Sequence, residues 1–311
     1  MIKQDGYSLE HIGFEGKPAN RLKYQGNPIE KPGKHPACTA QFATDQTPMN
    51  EFAARVLEFA GLSSAAYRAT PIHRRITACM RTLKAGSPTE AHRLLKQHPH
   101  LCEEAVDSLL IGSTEFTRDA PVFETLRKII QTDSAIYEKS IRIWSAGCSN
   151  GAELYSTAMM LAEAGLLRCS TLVGTDCRAS AIREAQAALY HESCVRLMDD
   201  SLRWKYMRSA GAQWCVTESL HARTQWKVKN LLAGCEEGPW DIILWRNMAI
   251  YLRQGSALQV WAAIIKELRV GGIVVVGKAE RPPSSSGLTC ISPCIYKLKR
   301  PLTNVAAVSG R

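Results

Sequence analysis

Two short stretches in the second half of the chain carry the residue types that a bound nucleoside would need. The first is Ser145-Ala146-Gly147-Cys148-Ser149-Asn150-Gly151, which follows an apolar run. Two glycines four apart let a strand turn tightly into a helix, and without a Cβ they let a ligand come against the backbone. The second is Thr175-Asp176, which closes another apolar run. An acidic side chain about 20 residues or more beyond such a turn can accept hydrogen bonds from both hydroxyls of a ribose. Each feature alone is ordinary, a strand-to-helix turn and a helix cap. Together they favour a nucleoside-containing cofactor. The glycine spacing is not the G-x-G-x-x-G of dinucleotide binding, which argues against NAD. The alternation of elements does not by itself separate NAD from S-adenosylmethionine.

For these stretches to meet, the elements before them must lie side by side. Strands are predicted at 141–144, 171–174, 226–229, 241–245, 272–276 and 295–298, with helices at 152–164, 180–189 and 255–268 between them. Strands separated by crossover helices predict an α/β fold with a mostly parallel sheet covered on both faces. In such a sheet a ligand binds beyond the carboxyl ends of the strands, at the switch point. Residues 136–311 are therefore expected to form the catalytic domain. Residues 49–135 show helical spacing, as in Phe52, Val56, Leu57 and Ala60, and predict a small all-α domain. That region carries His73, Arg74, Arg75, Arg81, Lys84, Arg93 and Lys96, either a solvated helix face or a docking face for an acidic partner. Residues 1–48, rich in Gly, Pro and Lys, read as a flexible N-terminal tail.

Composition narrows the class. Hydrophobic residues make up 45% of the 311 and charged residues 22%, which is globular rather than disordered. No apolar run is long enough to span a membrane, and the N-terminus lacks the apolar core of a signal peptide, so a cytoplasmic location is expected. The eleven cysteines are scattered and odd in number, as expected of reduced, mostly buried thiols. Cys290 and Cys294 have no second pair or nearby His, and no metal is expected. The formal net charge of +10 favours an acidic partner without naming one.

Five ordered segments resemble one known family, the CheR-type chemotaxis receptor methyltransferases. Ile143-Trp144-Ser145-Ala146-Gly147-Cys148-Ser149-Asn150-Gly151-Ala152-Glu153-Leu154-Tyr155-Ser156 is similar to that family's W-S-A-G-C-S-T-G-E-E-P-Y-S. Trp245-Arg246-Asn247-Met248-Ala249-Ile250-Tyr251-Leu252 is similar to its C-R-N-V-x-I-Y-F, and Thr114-Glu115-Phe116-Thr117-Arg118-Asp119 to its T-x-F-F-R-D. Asn230-Leu231-Leu232 matches N-L-L, and Gly277-Lys278-Ala279-Glu280 stands where the family has G-H-S-E. The matches keep order and spacing over about residues 50–300.

The resemblance implies a Rossmann-like S-adenosylmethionine-dependent methyltransferase domain that methylates glutamate carboxylates on chemoreceptors. It implies a glycine turn at Gly147, Glu153 at the methionine end of the cofactor, Asp176 on the ribose, and Asn230 and Leu231 at the adenine with Arg246 and Asn247 close by. It places Thr114 and Arg118 between the domains, reaching the cofactor or the acceptor, and Tyr251 near the reacting methyl. Arg118 is expected to orient the acceptor carboxylate or close the site; the plainer alternative is that it only ties two domains together. The partner implied is an acidic receptor helix docked on the basic helices, with no nucleic acid and no membrane insertion. Residues 190–228 are expected to form a small antiparallel β insertion, built from Leu197 to Met207 and from Trp214 to Arg223.

Some positions depart from the pattern: Gly112, Thr117, Ala152, Leu154 and Lys278 replace Asn, Phe, Glu, Pro and His. They motivate an alternative, a cofactor-binding relative without catalysis. A nucleic-acid methyltransferase is a further alternative. Against it, Arg246-Asn247-Met248-Ala249 stands where an Asn/Asp-Pro-Pro-aromatic turn would be expected, and few aromatics interleave the basic residues.

Overall fold

The computed structural model describes residues 50–110, 114–132 and 140–299. The tail expected over 1–48, the departure at Gly112 and the domain boundary near 135 lie outside the described residues.

The helices come first. α1 (Glu51–Phe59) starts where the Asn50 side chain accepts from the Phe52 and Ala53 amides, and it buries Phe52, Ala53, Val56 and Leu57. α2 (Ala69–Thr82) buries Ala69, Ile72 and Cys79. α3 (Pro88–Gln97) begins at Ser87, whose hydroxyl accepts from the Glu90 amide, with Pro88 at a position that has no use for an N–H. α4 (Cys102–Leu109) packs against α1 and α2. α5 (Ala120–Thr132) leads toward the sheet and packs on the helix Ala152–Glu163.

The sheet has seven strands in the order β6-β2-β1-β7-β8-β10-β9. β1 (Ile141–Ala146), β2 (Ser170–Asp176), β6 (Thr224–Val228), β7 (Trp240–Trp245) and β8 (Leu268–Val276) are parallel. β9 (Leu288–Ser292) and β10 (Ile295–Leu298) close the far edge antiparallel. β7 is buried along its whole length, as expected of a strand covered on both faces. Trp144, Trp240, Trp245 and Trp261 are fully buried, and the indole N–H of Trp144 donates to Thr175 Oγ1 at 2.9 Å. From β1 the chain crosses to β2 on one side and reaches β7 on the other, so the switch point lies at the ends of β1, β2 and β7.

Three expectations change in detail. The last helix is Gln254–Lys266, because Leu268 already pairs with Trp240 and the chain is extended from there. β9 is an additional strand; its half-exposed residues make no continuous apolar run to read. The small sheet is β3 (Leu189–His191), β5 (Gln213–Val216) and β4 (Met207–Ala210), antiparallel as expected. The stretch 197–207, however, is largely the helix Asp200–Tyr206, started by the Asp199 carboxylate on the Ser201 amide at 2.9 Å. β6 belongs to the main sheet beside β2, so the insertion stops short of residue 224.

Candidate active site

The turn after β1 is built from backbone that only small residues adopt easily. Gly147, Ser149 and Gly151 have φ of 78°, 50° and 85°. A Cβ on Gly147 would stand 2.6 Å from Met248 Cγ, and one on Gly151 2.5 Å from the Trp226 ring. The Gly147 and Cys148 amides donate to the Thr175 carbonyl at 2.8 and 2.9 Å, and the Ser149 amide donates to Asp176 Oδ2 at 2.9 Å. The two stretches singled out in the sequence are thus joined by three hydrogen bonds.

Above them opens a cleft of about 780 Å³, counting the solvent in its mouth. Thr114, Arg118, Gly147, Glu153, Asp176, Arg246, Asn247 and Tyr251 line it. Asn230 and Leu231 wall a smaller adjoining cavity, which shares Tyr67, Gly147, Asp176, Cys177 and Met248 with the first. Every residue named from the sequence therefore stands at one end of the sheet. Arg246 and Asn247 lie with Glu153, whereas Asn230 and Leu231 lie in the adjoining cavity.

Arg246 is the centre of the charge network. Its side chain is 2% exposed. Nη1 donates to Glu153 Oε2 at 2.8 Å; Nη2 donates to Asp119 Oδ2 at 2.8 Å and to the Arg118 carbonyl at 3.0 Å. Ser145 Oγ donates to the other Glu153 oxygen at 3.0 Å. Lys278 Nζ stands 2.6 Å from Asp119 Oδ1. Burial pushes the Asp119 carboxyl up, but Lys278 and Arg246 more than offset this and hold it below its ordinary value. Through these bonds the 118–119 turn, β1, the first turn of the helix Ala152–Glu163 and the loop after β7 hold one geometry.

Glu280 ties the loop after β8 to the loop after β7. Its carboxylate accepts from the amides of Asn247, Gly277 and Ala249 at 2.7, 2.8 and 2.7 Å. Burial raises its pKa, with these amides working in the opposite sense. Asn247 has φ of 59°, and the loop continues to Tyr251, whose carbonyl accepts from the Arg68 amide at 2.8 Å. Tyr67 and Leu252 form an antiparallel bridge, so the segment before α2 is part of the wall.

Among the departures from the motif, Ala152 and Leu154 are fully buried. Thr117, at φ 54°, donates its amide to Ser156 Oγ at 2.9 Å.

Several residues of the site carry no signal in the sequence. Tyr67 reaches it from the helical region, and Arg178 and Cys177 from the turn after β2. The phenol of Tyr67 is pushed up by burial, then by Cys177 and Asp176. Burial also raises the Cys177 thiol, to about 12, and the Cys148 thiol.

The model of the CheR methyltransferase, SAM binding domain, matches residues 112–293. The chain belongs to the CheR methyltransferase family. Its relatives include the chemotaxis protein methyltransferase of Listeria monocytogenes, 26% identical over 241 residues, covering 76% of this chain and 91% of the relative. Chemotaxis protein methyltransferase 1 of Vibrio cholerae is 30% identical over 210 residues, covering 63% and 75%. Its namesake in Pseudomonas aeruginosa is 28% identical over 222 residues, covering 67% and 81%. This CheR-family chain is accordingly an S-adenosylmethionine-dependent methyltransferase. Among its described residues no helix is long and apolar enough to cross a membrane, and no group of three or more metal-binding side chains gathers.

Proposed function

We propose that this chain transfers a methyl group from S-adenosylmethionine to glutamate side-chain carboxylates of a chemoreceptor. One observation carries the reading: the acids lining the cleft are each held by an arginine, and among the described residues no imidazole lines it. Glu115 stands 3.5 Å from Arg196, Glu153 2.8 Å from Arg246 and Asp176 3.2 Å from Arg178. The buried thiols of Cys148 and Cys177 and the Tyr67 phenol are all raised. A site without a poised base suits an acceptor that arrives already ionised. A glutamate, with an ordinary pKa of about 4.3, meets that condition at neutral pH.

The lining residues fit the cofactor. The buried Nε of Arg246 has no acceptor among the described residues, and Gly147 has no Cβ to press on Met248 beside the turn. Asp176 would take the ribose hydroxyls, Glu153 the amino end, and Asn230 and Leu231 the adenine. The cofactor supplies an electrophilic methyl on a sulfonium. The protein supplies position: Arg118 and Tyr251, both lining the cleft, would hold the acceptor carboxylate and exclude water from it.

The acceptor would dock on the helical region. Arg74, Arg81, Lys84, Arg93 and Lys96 are exposed and make no ion pair among the described residues. They suit a Glu-rich helix of a receptor's cytoplasmic part, a partner that the protein would meet in the cytoplasm. The relatives' names supply the chemotaxis context.

The test is transfer of radiolabelled methyl to membranes carrying the host's chemoreceptors. Base-labile label released as methanol is expected, from wild type and not from Arg118→Ala. Absence of label from a preparation that binds the cofactor would overturn the assignment and favour a relative without this catalysis.

A further inference from the structure

One nearly buried cation in the cleft has no part in the network around Arg246. Arg178 follows β2 directly, and its side chain is 11% exposed. Its Nε donates to Asp176 Oδ1 at 3.2 Å, and its backbone amide donates to the same oxygen at 3.0 Å. Nη2 donates to Ser149 Oγ at 2.9 Å. Nη1 stands 3.8 Å from Asp107 Oδ1 on α4. Asp107 is itself held by Ser180 Oγ, which donates to it at 2.7 Å. One guanidinium therefore joins the carboxylate at the end of β2, the glycine turn and the helical region.

This arrangement decides what Asp176 has left to offer. A carboxylate has about four acceptor sites. Two donors from Arg178 occupy Oδ1, and the Ser149 amide takes one site on Oδ2. The Cys177 thiol is a further side-chain partner of this carboxylate, so among the described residues at most one acceptor position remains, on Oδ2. A vicinal diol needs more than one partner. A hydroxyl can accept as well as donate, and the Arg178 guanidinium in the same wall supplies the missing donor.

We propose that Asp107, Arg178 and Asp176 form a clasp that sets the ribose end of the cofactor site and makes α4 a contributor to cofactor affinity, an inference that rests on the cofactor reading above. Arg178 contacts the ribose; Asp107 is a positioning residue that acts through Arg178. Asp107 and Asp176 flank the guanidinium, so its charge is neutralised where water is largely excluded. α4 also supports α2, which carries part of the exposed basic face: Arg75 Nε donates to the Ser108 carbonyl at 3.1 Å, and Ser108 Oγ to Thr82 Oγ1 at 2.9 Å. Linkage is reciprocal, so whatever shifts α4 changes cofactor affinity, and the bound cofactor steadies α4.

Calorimetric titration of S-adenosylhomocysteine into the full-length protein tests the clasp without any methyl acceptor. Wild type, R178A, R178K, D107N, D107N/R178A and S180A are compared. R178A is expected to bind roughly ten- to a hundredfold more weakly, the loss of hydrogen bonds to a charged group. R178K, which keeps the charge and most of the aliphatic stem, recovers part of the loss. D107N weakens binding by at least about threefold, and the double variant is no weaker than R178A alone, because the two residues act in series. S180A frees one side of Asp107 but leaves Arg178 in place, and stays within about twofold of wild type. Wild-type affinity in D107N, or an S180A loss as large as that of D107N, would overturn the clasp while the cofactor reading stands. No binding by wild type would overturn both. Thermal melts of the ligand-free proteins identify any variant that fails to fold; D107N, which keeps size and shape, and R178K, which keeps the charge, then carry the comparison.

Discussion

Replacing Arg246 by Leu should unfold the site before it silences the chemistry. The guanidinium makes three hydrogen bonds, at 2.8 Å to Glu153, 2.8 Å to Asp119 and 3.0 Å to the Arg118 carbonyl. Hydrogen bonds to charged groups contribute about 1.5–3 kcal/mol each, but the sum overshoots, because removing the charge also removes its own desolvation cost. What remains in Arg246→Leu, among the described residues, is Glu153 with only Ser145 and Asp119 with only Lys278, both carboxylate side chains no more than 15% exposed. Breaking a buried pair in this way costs about 3–5 kcal/mol. Arg246→Lys should cost less, about 1.5–3 kcal/mol, because one ammonium cannot span both carboxylates as the planar fork does. Urea unfolding of the ligand-free proteins at neutral pH, followed by tryptophan fluorescence, measures both. A Leu variant within about 1 kcal/mol of wild type would refute the reasoning, since that is the range of an ordinary surface pair. So would a Lys variant as damaged as the Leu variant, which would mean that size rather than the fork is what the site needs.

Gly147→Ala forces a Cβ to within 2.6 Å of Met248 Cγ at a φ of 78°; a stability loss of about 1–2 kcal/mol and weaker S-adenosylhomocysteine binding are expected, by urea unfolding and calorimetry. Glu280→Ala leaves the Asn247, Gly277 and Ala249 amides without their acceptor; a loss of at least about 2 kcal/mol is expected, with faster amide exchange over 247–251. The depressed pKa of Asp119 means that its pairing stabilises the fold above the ordinary carboxylate range, near pH 4, and that this contribution is lost as pH falls through the lower folded-state value. Lys278→Met should raise Asp119 toward its ordinary value and move that acid limb to higher pH, read by unfolding free energy between about pH 2 and 6. Receptor methylation should fall steeply between low and physiological salt, and Arg74→Ala with Arg81→Ala should flatten that dependence; salt-independent rates would remove the case for a basic docking face.

The sequence by itself determined the parts whose cause is local. Apolar runs such as 241–245 and 272–276 make buried strands wherever they sit in the sheet. Gly147 and Gly151 announce a turn because left-handed backbone is cheap only without a Cβ. Asp176, at the end of β2, follows from the rule that ligands lie beyond the carboxyl ends of the strands in an open sheet. Such features give the glycine turn and Asp176 as candidates; Thr114, Arg118, Glu153, Asn247 and Tyr251 come from the resemblance of ordered segments to the CheR family. The short helix Asp200–Tyr206 stands in a stretch that the sequence places only as part of the antiparallel insertion. Only the tertiary structure decided which of these groups are already engaged. Glu153 meets Arg246 across 93 residues of chain, Asn247 meets Glu280 across 33, and Ser180 meets Asp107 across 73. None of these pairs has a spacing to read. Their meeting depends on strand order, on register and on the seating of α4 against the turn after β2, and these are settled by packing the whole chain at once.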